Sequence, residues 1–156
     1  MDETKHKLAV LCRIGELLNG ADVTWAVGAS LLLYLKGIAE EFHDIDLMVA
    51  ESDIGRAKEL LLNIGTLHPA NPNAQYRTRH FLEFSVDGVD VDVMAGFVIV
   101  DGGQEHDCSL HRDQIAEHIM VGSTAVPLQS VALWREYYRL MHRDSKVAMI
   151  DRFSDF

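Results

Sequence analysis

The chain is predicted to be a mixed α/β (α+β) domain: a mixed, mostly antiparallel sheet packed against helices, with a short helical part at the C-terminal end. Three observations predict this. Helix-period segments alternate with short β-rich ones from the start of the chain. The pair Asp87-Gly88 separates two apolar-rich runs as a hairpin turn would. The apolar stretch around Asp44-Ile45-Asp46 follows a strand, a small-residue turn and a helix in that order. At 156 residues a single domain spanning 1–156 is expected, with a core over about 20–128 and the helical part over about 129–156.

The elements follow in order. Thr4 to Asn19 carries Leu8, Leu11, Cys12, Ile14, Leu17 and Leu18 at helical spacing, and Asn19-Gly20 supplies a stop. Val23 to Val27 reads as a short strand, and Gly28-Ala29-Ser30 turns the chain into Leu31 to Lys36, an apolar stretch suited to a buried helix. Ile45 to Ala50 is the next strand, after which Ser52 or Asp53 can cap a helix reaching Ile64 before Gly65. His68 to Asn73, with Pro69, Asn71 and Pro72 between, is a loop. Phe81 to Val86 and Val89 to Val100 form a hairpin, because Asp-Gly accepts the positive dihedrals its turn requires. Ile115 to Val121 and Thr124 to Leu128 form a second, weaker hairpin around Gly122-Ser123. Ser130 caps a helix through Tyr138 and Met141, and a last amphipathic stretch covers Lys146 to Phe153.

Composition removes several classes of function. Hydrophobic residues make up 48% and charged residues 24%, as in ordinary globular domains, and no apolar run approaches the roughly 18–20 residues that span a bilayer. The opening Met1-Asp2-Glu3-Thr4-Lys5-His6-Lys7 has no export-signal pattern, so the cytoplasm is expected and no membrane partner. Cys12 sits in a helix and Cys108 in a polar loop, with no disulfide or zinc-knuckle spacing, which makes both reduced thiols. The net charge of −10 repels phosphate backbones, so a long nucleic acid is a poor partner, although tRNA stays open as an acceptor.

The chemistry is concentrated in the aspartates. Alternate side chains of a strand share a face, so Asp44 and Asp46 point together while Ile45, Leu47 and Val49 fall on the other side. Two like charges so close are costly unless a cation sits between them, and carboxylates suit Mg²⁺ shared with substrate phosphates. The predicted hairpin offers Asp90 and Asp92 as a third carboxylate. Such a set could hold Mg²⁺ against a nucleoside triphosphate and leave one carboxylate to draw the proton from an acceptor hydroxyl, which is nucleotidyl transfer. Backbone N–H groups at Gly28, Ala29 and Ser30, with the Ser30 hydroxyl, could hold the triphosphate.

These residues resemble the nucleotidyltransferase superfamily of DNA polymerase beta type, in particular its small bacterial members related to antibiotic and toxin–antitoxin nucleotidyltransferases. The resemblance rests on Val27-Gly28-Ala29-Ser30, on Asp44-Ile45-Asp46-Leu47 and on Val91-Asp92-Val93; it spans Val23 to Phe97 strongly and the tail from Val126-Pro127-Leu128 through Arg143-Asp144 and Asp151 weakly. It implies that Ser30 contacts the triphosphate, ATP first, and that Asp44 and Asp46 bind metal. Asp92 would then be the third ligand and help activate the acceptor, with Asp90 as the alternative. Such relatives often carry a basic residue just before the Asp-x-Asp, where this chain has Glu40-Glu41-Phe42-His43; Lys36, Arg77 and Arg79 are the candidates to supply that charge from elsewhere. The acceptor would be a small molecule or a protein, and both a monomer and a homodimer remain open.

Blander readings stand beside these. Asp90 and Asp92 could be exposed charges of an edge strand, and Gly28-Ala29-Ser30 a plain turn. His106, His111, His118 and Cys108 lack zinc spacing, the basic run Tyr76-Arg77-Thr78-Arg79-His80 is a solvated edge by default, and Trp25 and Trp134 are core residues before they are a stacking platform. A catalytically weakened nucleotide- or partner-binding domain, antitoxin-like or regulatory, is the alternative function. A metal-independent oligomerising module is a third.

Overall fold

The computed structural model describes residues 2–70 and 78–154. Helix α1 (Glu3–Gly20) begins at Asp2, whose carboxylate accepts from the Thr4 N–H, and buries Val10, Leu11, Ile14 and Leu18 along one stripe. Strand β1 (Trp25–Val27) leads through Gly28 into α2 (Ala29–Leu35), and β2 (Ile45–Val49) leads through a 3₁₀ turn (Glu51–Asp53) into α3 (Ile54–Leu62). The predicted Asp53 cap is not made. Its carboxylate instead accepts from the Thr24 N–H and from Arg56, tying the start of β1 to α3.

After β3 (Thr66–Leu67), the hairpin β4 (His80–Val86) and β5 (Val89–Ala95) turns at Asp87 and Gly88, both with positive φ, as a tight twisted turn demands. The predicted run to Val100 is broken at Gly96, where φ is +62° and an added Cβ would lie 2.7 Å from Arg79. The chain re-starts as β6 (Val98–Asp101), which pairs with β7 (Gln104–Asp107) in a separate two-stranded ribbon. The predicted loop at 68–73 is described only as far as 70; Asn71, Pro72 and Asn73 lie outside the described residues. Cys108 is buried against the ribbon's exit rather than sitting in an open loop, and both thiols are free.

Strands β8 (Ile115–Val121) and β9 (Thr124–Gln129) form the expected second hairpin, followed by α4 (Val131–Leu140) and α5 (Asp144–Ser154). The main sheet runs β3-β4-β5-β2-β1-β9-β8. It is mixed: β2 pairs with β5, and β1 with β9, in parallel, and the other neighbours are antiparallel. One apolar cluster joins α1, both faces of the central strands, α2, α3, α4 and Ile150 of α5. Among the described residues no helix is long and apolar enough to cross a membrane.

The last helices matter because they wall the site. Ser130 caps α4 through its hydroxyl, which accepts from the Leu133 N–H. Ser130→Ala is expected to lower stability by about 1 kcal/mol, seen as a lower urea midpoint at unchanged slope.

Candidate active site

The central strands place the aspartates. In β2 the side chains of Ile45, Leu47 and Val49 are fully buried on one face, which leaves Asp46 on the other. Strand β5 lies parallel beside it, with Asp46 directly opposite Asp92. Facing residues of paired strands project to the same side, on backbones about 4.8 Å apart, so the two carboxylates are neighbours. Asp44, just before β2, opens into the same cleft. Asp90 faces Ser85 near the hairpin turn, is exposed, and does not line the cleft. The β2–β5 register, not the hairpin, puts Asp92 and not Asp90 opposite Asp46.

The electrostatics reflect this crowding. Burial, then the charges of Asp92 and Asp44, push the Asp46 carboxyl from its ordinary 3.8 up to about 8. Burial, then Asp44, Glu83 and Asp90, raise Asp92 to about 6. Among the described residues no three His, Cys, Asp or Glu side chains form a preformed cage for a metal. A paired-carboxylate floor is what a hard cation needs when substrate oxygens and water complete its shell, and opposite charge there relieves the repulsion.

The turn above this floor is tightly specified. Gly28 donates its N–H to the Asp46 carbonyl, and its Cα lies so near Trp134 that an added Cβ would stand 2.5 Å from the indole. Ala29 takes φ +54°, a left-handed conformation that side-chain-bearing residues rarely adopt and that recurs at functional sites. Ala29 and Ser30 both line the cleft. Trp134 is held in place by Phe97, Tyr137 and Tyr138 and by donation of its ring N–H to Gln129. Trp25 is likewise core, its ring N–H donated to Asn19.

Two expected phosphate partners are not brought to this place. Lys36 is turned to β8, where its ammonium reaches both carboxylate oxygens of Glu117 at 2.9 Å. Arg79 is held by Glu51, Asp107 and Ser109 at the base of the β6–β7 ribbon and is absent from the cleft lining. Arg77 lies outside the described residues. The cations that do face the cleft, Arg143, Lys146 and Arg152, belong to the α4–α5 connection and α5. None of the three was among the site residues expected from the sequence. Their one signal is the helical spacing of Lys146, Met149 and Phe153, which does not say what that stripe faces.

The cleft encloses about 1180 Å³, more than the roughly 300–1,000 Å³ of a pocket for one drug-sized ligand.

The fold is that of the nucleotidyltransferases. A candidate nucleotidyltransferase from Thermotoga maritima superposes with a TM-score of 0.75 at 21% identity, covering 99% of this chain and 96% of its own. ANT(2'')-Ia in complex with adenylyl-2''-tobramycin gives a TM-score of 0.57 at 9% identity over 96% of this chain and 97% of its own. Its solution structure gives 0.59 at 12% identity over 97% and 89%. No curated protein matches the chain significantly. The chain belongs to the aminoglycoside-2''-adenylyltransferase family, whose sequence model matches residues 10–152, and is thereby a nucleotidyltransferase acting on a small-molecule acceptor.

Proposed function

We propose that the protein transfers a nucleoside monophosphate from a triphosphate, ATP first, to a hydroxyl of a small molecule and releases pyrophosphate, with Mg²⁺ as cofactor. The observation that carries this reading is the in-register pair Asp46 and Asp92 on the cleft floor beneath Ala29 and Ser30. Asp44, Asp46 and Asp92 would hold the metal, and their mutual repulsion is the reason they fit it. When bound, Mg²⁺ supplies charge neutralisation for the phosphates and the departing pyrophosphate.

The residues of the chain do the rest. The Ser30 hydroxyl and the turn's backbone orient the triphosphate. The acceptor oxygen forms a bond to the α-phosphorus, the bridging α–β P–O bond breaks, and its electron pair leaves on pyrophosphate. The hydroxyl proton passes to an Asp92 carboxylate oxygen. The breadth of the cleft, lined from Ser30 and the aspartates across to α5, supports simultaneous binding of donor and acceptor, as direct in-line transfer requires.

The test is incubation with each α-labelled triphosphate and Mg²⁺ against aminoglycosides, which the family name puts first, then lincosamides, tRNA and protein. Label is expected on one acceptor, with pyrophosphate released in equal amount and both lost in EDTA. Triphosphate binding without transfer to any acceptor would favour a weakened, nucleotide-binding role. That second reading draws on Glu40 and Glu41, which line the cleft just before Asp44 and place negative charge where a triphosphate would want a cation.

A further inference from the structure

The row of residues that carries the carboxylates does not end at Asp46. Asp92 stands opposite Asp46 in the β2–β5 register. One step beyond the pair Val27 and Leu47, and beyond the pair Val27 and Leu128, Gly28 falls between Asp46 and Gln129 of β9. Asp92, Asp46, Gly28 and Gln129 thus lie side by side across the sheet, and residues in such a row share one face. Gly28 has no side chain to fill its place. The Trp134 indole takes it, standing 2.5–2.6 Å from where a Cβ on Gly28 would be, and donates its ring N–H to Gln129 Oε1 at 2.7 Å. That bond aims the amide. Turned over, the amide NH₂ would meet the indole N–H donor to donor, so Oε1 faces the ring and Nε2 is left spare. Gln129 is 1% exposed, and among the described residues its Nε2 is the one buried side-chain polar atom without a hydrogen-bond partner. The buried hydroxyls of Ser109 and Thr124, by contrast, are paired with Asp107 and Glu16. A buried donor left unmade is costly, and native proteins keep few of them without a reason. Met would fill the same space free of that cost.

We propose that Gln129 and Trp134 are a positioning pair for the donor nucleotide: the indole carries the Gly28 turn, and the amide it aims gives its spare N–H to an oxygen acceptor when the turn closes on the triphosphate. The triphosphate in this statement rests on the transfer reading; the hold on the turn does not. The turn has little else to hold it. Its own backbone bonds are long, 3.3 Å from the Gly28 N–H to the Asp46 carbonyl and 3.2 Å from the Leu32 N–H to the Gly28 carbonyl, with Ala29 at φ +54° between them. Support comes from β9 and α4, where Gln129 and Trp134 meet across the Ser130 cap. Trp134 lines the cleft beside Ala29 and Ser30, so a shift of the ring is felt where phosphates would lie. An amide also suits the end of this row because it is neutral: it donates without adding a cation that would compete with a metal for Asp46 and Asp92.

Two variants test this. Gln129→Met removes the amide at similar volume, and Trp134→Phe removes the indole N–H that aims it. In the ligand-free protein, hydrogen exchange at the Gly28 and Leu32 amides is expected to quicken about tenfold in either variant, while the amides of β5 keep their rates. Calorimetric affinity for Mg²⁺ with α,β-methylene-ATP should fall about tenfold, with KM for the acceptor unchanged. The double variant should lose no more than the worse single one, because the amide acts only when the indole aims it. In the wild-type protein the same nucleotide should move the Gln129 side-chain NH₂ resonance, identified by its absence in Gln129→Met. Unchanged turn exchange and nucleotide affinity in Gln129→Met, even at a lower thermal midpoint, would overturn the proposal and leave Gln129 a core filler. Losses that simply add would overturn it too. If Gln129→Met does not fold, Trp134→Phe decides by the same two readouts. A wild-type protein that binds no triphosphate, while the variants still loosen the turn, would instead sink the transfer reading and uphold the pair's hold on the turn.

Discussion

Asp46→Asn is expected to abolish nucleotidyl transfer while leaving the fold as stable as before or more so. The activity loss should be about 10³-fold or more, the scale of removing a principal electrostatic stabiliser, because Asp46 sits at the centre of the carboxylate floor with Asp44 and Asp92 beside it. The stability gain follows from burial and repulsion. In the metal-free protein Asp46 keeps its proton up to about pH 8, against 3.8 in its ordinary state. Between those values the folded chain holds a proton that the unfolded chain has released, so this group's contribution is complete below about pH 4 and is lost as pH rises through about 8. Asparagine has no charge to bury. Thermal midpoints in EDTA should therefore coincide near pH 4 and separate progressively as pH rises to about 8, with the variant higher by about 2–4 °C for each kcal/mol relieved. A variant that melts lower throughout, or still transfers label, would show that Asp46 is a structural residue and not a member of a charged site.

Gly28→Ala should destabilise the protein and damage the site together. The added Cβ would lie 2.5–2.6 Å from three atoms of the Trp134 indole. Trp134 is 2% exposed, packed among Phe97, Tyr137 and Tyr138, and hydrogen-bonded to Gln129, so it has nowhere to retreat. Overpacking of this kind costs about 3 kcal/mol, a fall of ~10 °C in the midpoint. Any relief by backbone movement would displace Ala29 and Ser30, which line the cleft, so transfer should fall as well. Trp134→Phe in the same chain removes the clashing ring atoms, and the double variant should be more stable than the two single losses summed. Strict additivity would count against the contact.

The legible parts of the fold are those with local causes. The turn at Asp87 and Gly88 was readable because few residues tolerate positive φ at both positions. Asp44 and Asp46 stood out because carboxylates on an otherwise apolar strand contradict its burial. Strand β7 was missed because Gln-Glu-His-Asp has no apolar alternation; it is a strand only because β6 lies beside it. Lys36 and Arg79 were chosen for their charge, yet each had a closer carboxylate in Glu117, Glu51 or Asp107, and the nearest opposite charge wins.

What the amino-acid order determined alone is the set of elements and the kind of chemistry: helix and strand periods, the small-residue turn, and acidic side chains clustered where a cation would be needed. Those depend on interactions within about a dozen residues. Which aspartate stands opposite Asp46, and which cations enclose the cleft, were decided only in three dimensions. Strands β2 and β5 pair in parallel across α3, β3 and β4, and α5 lines the same cleft as carboxylates from both of those distant strands. No local pattern encodes those meetings, because they are selected by the burial of the whole core.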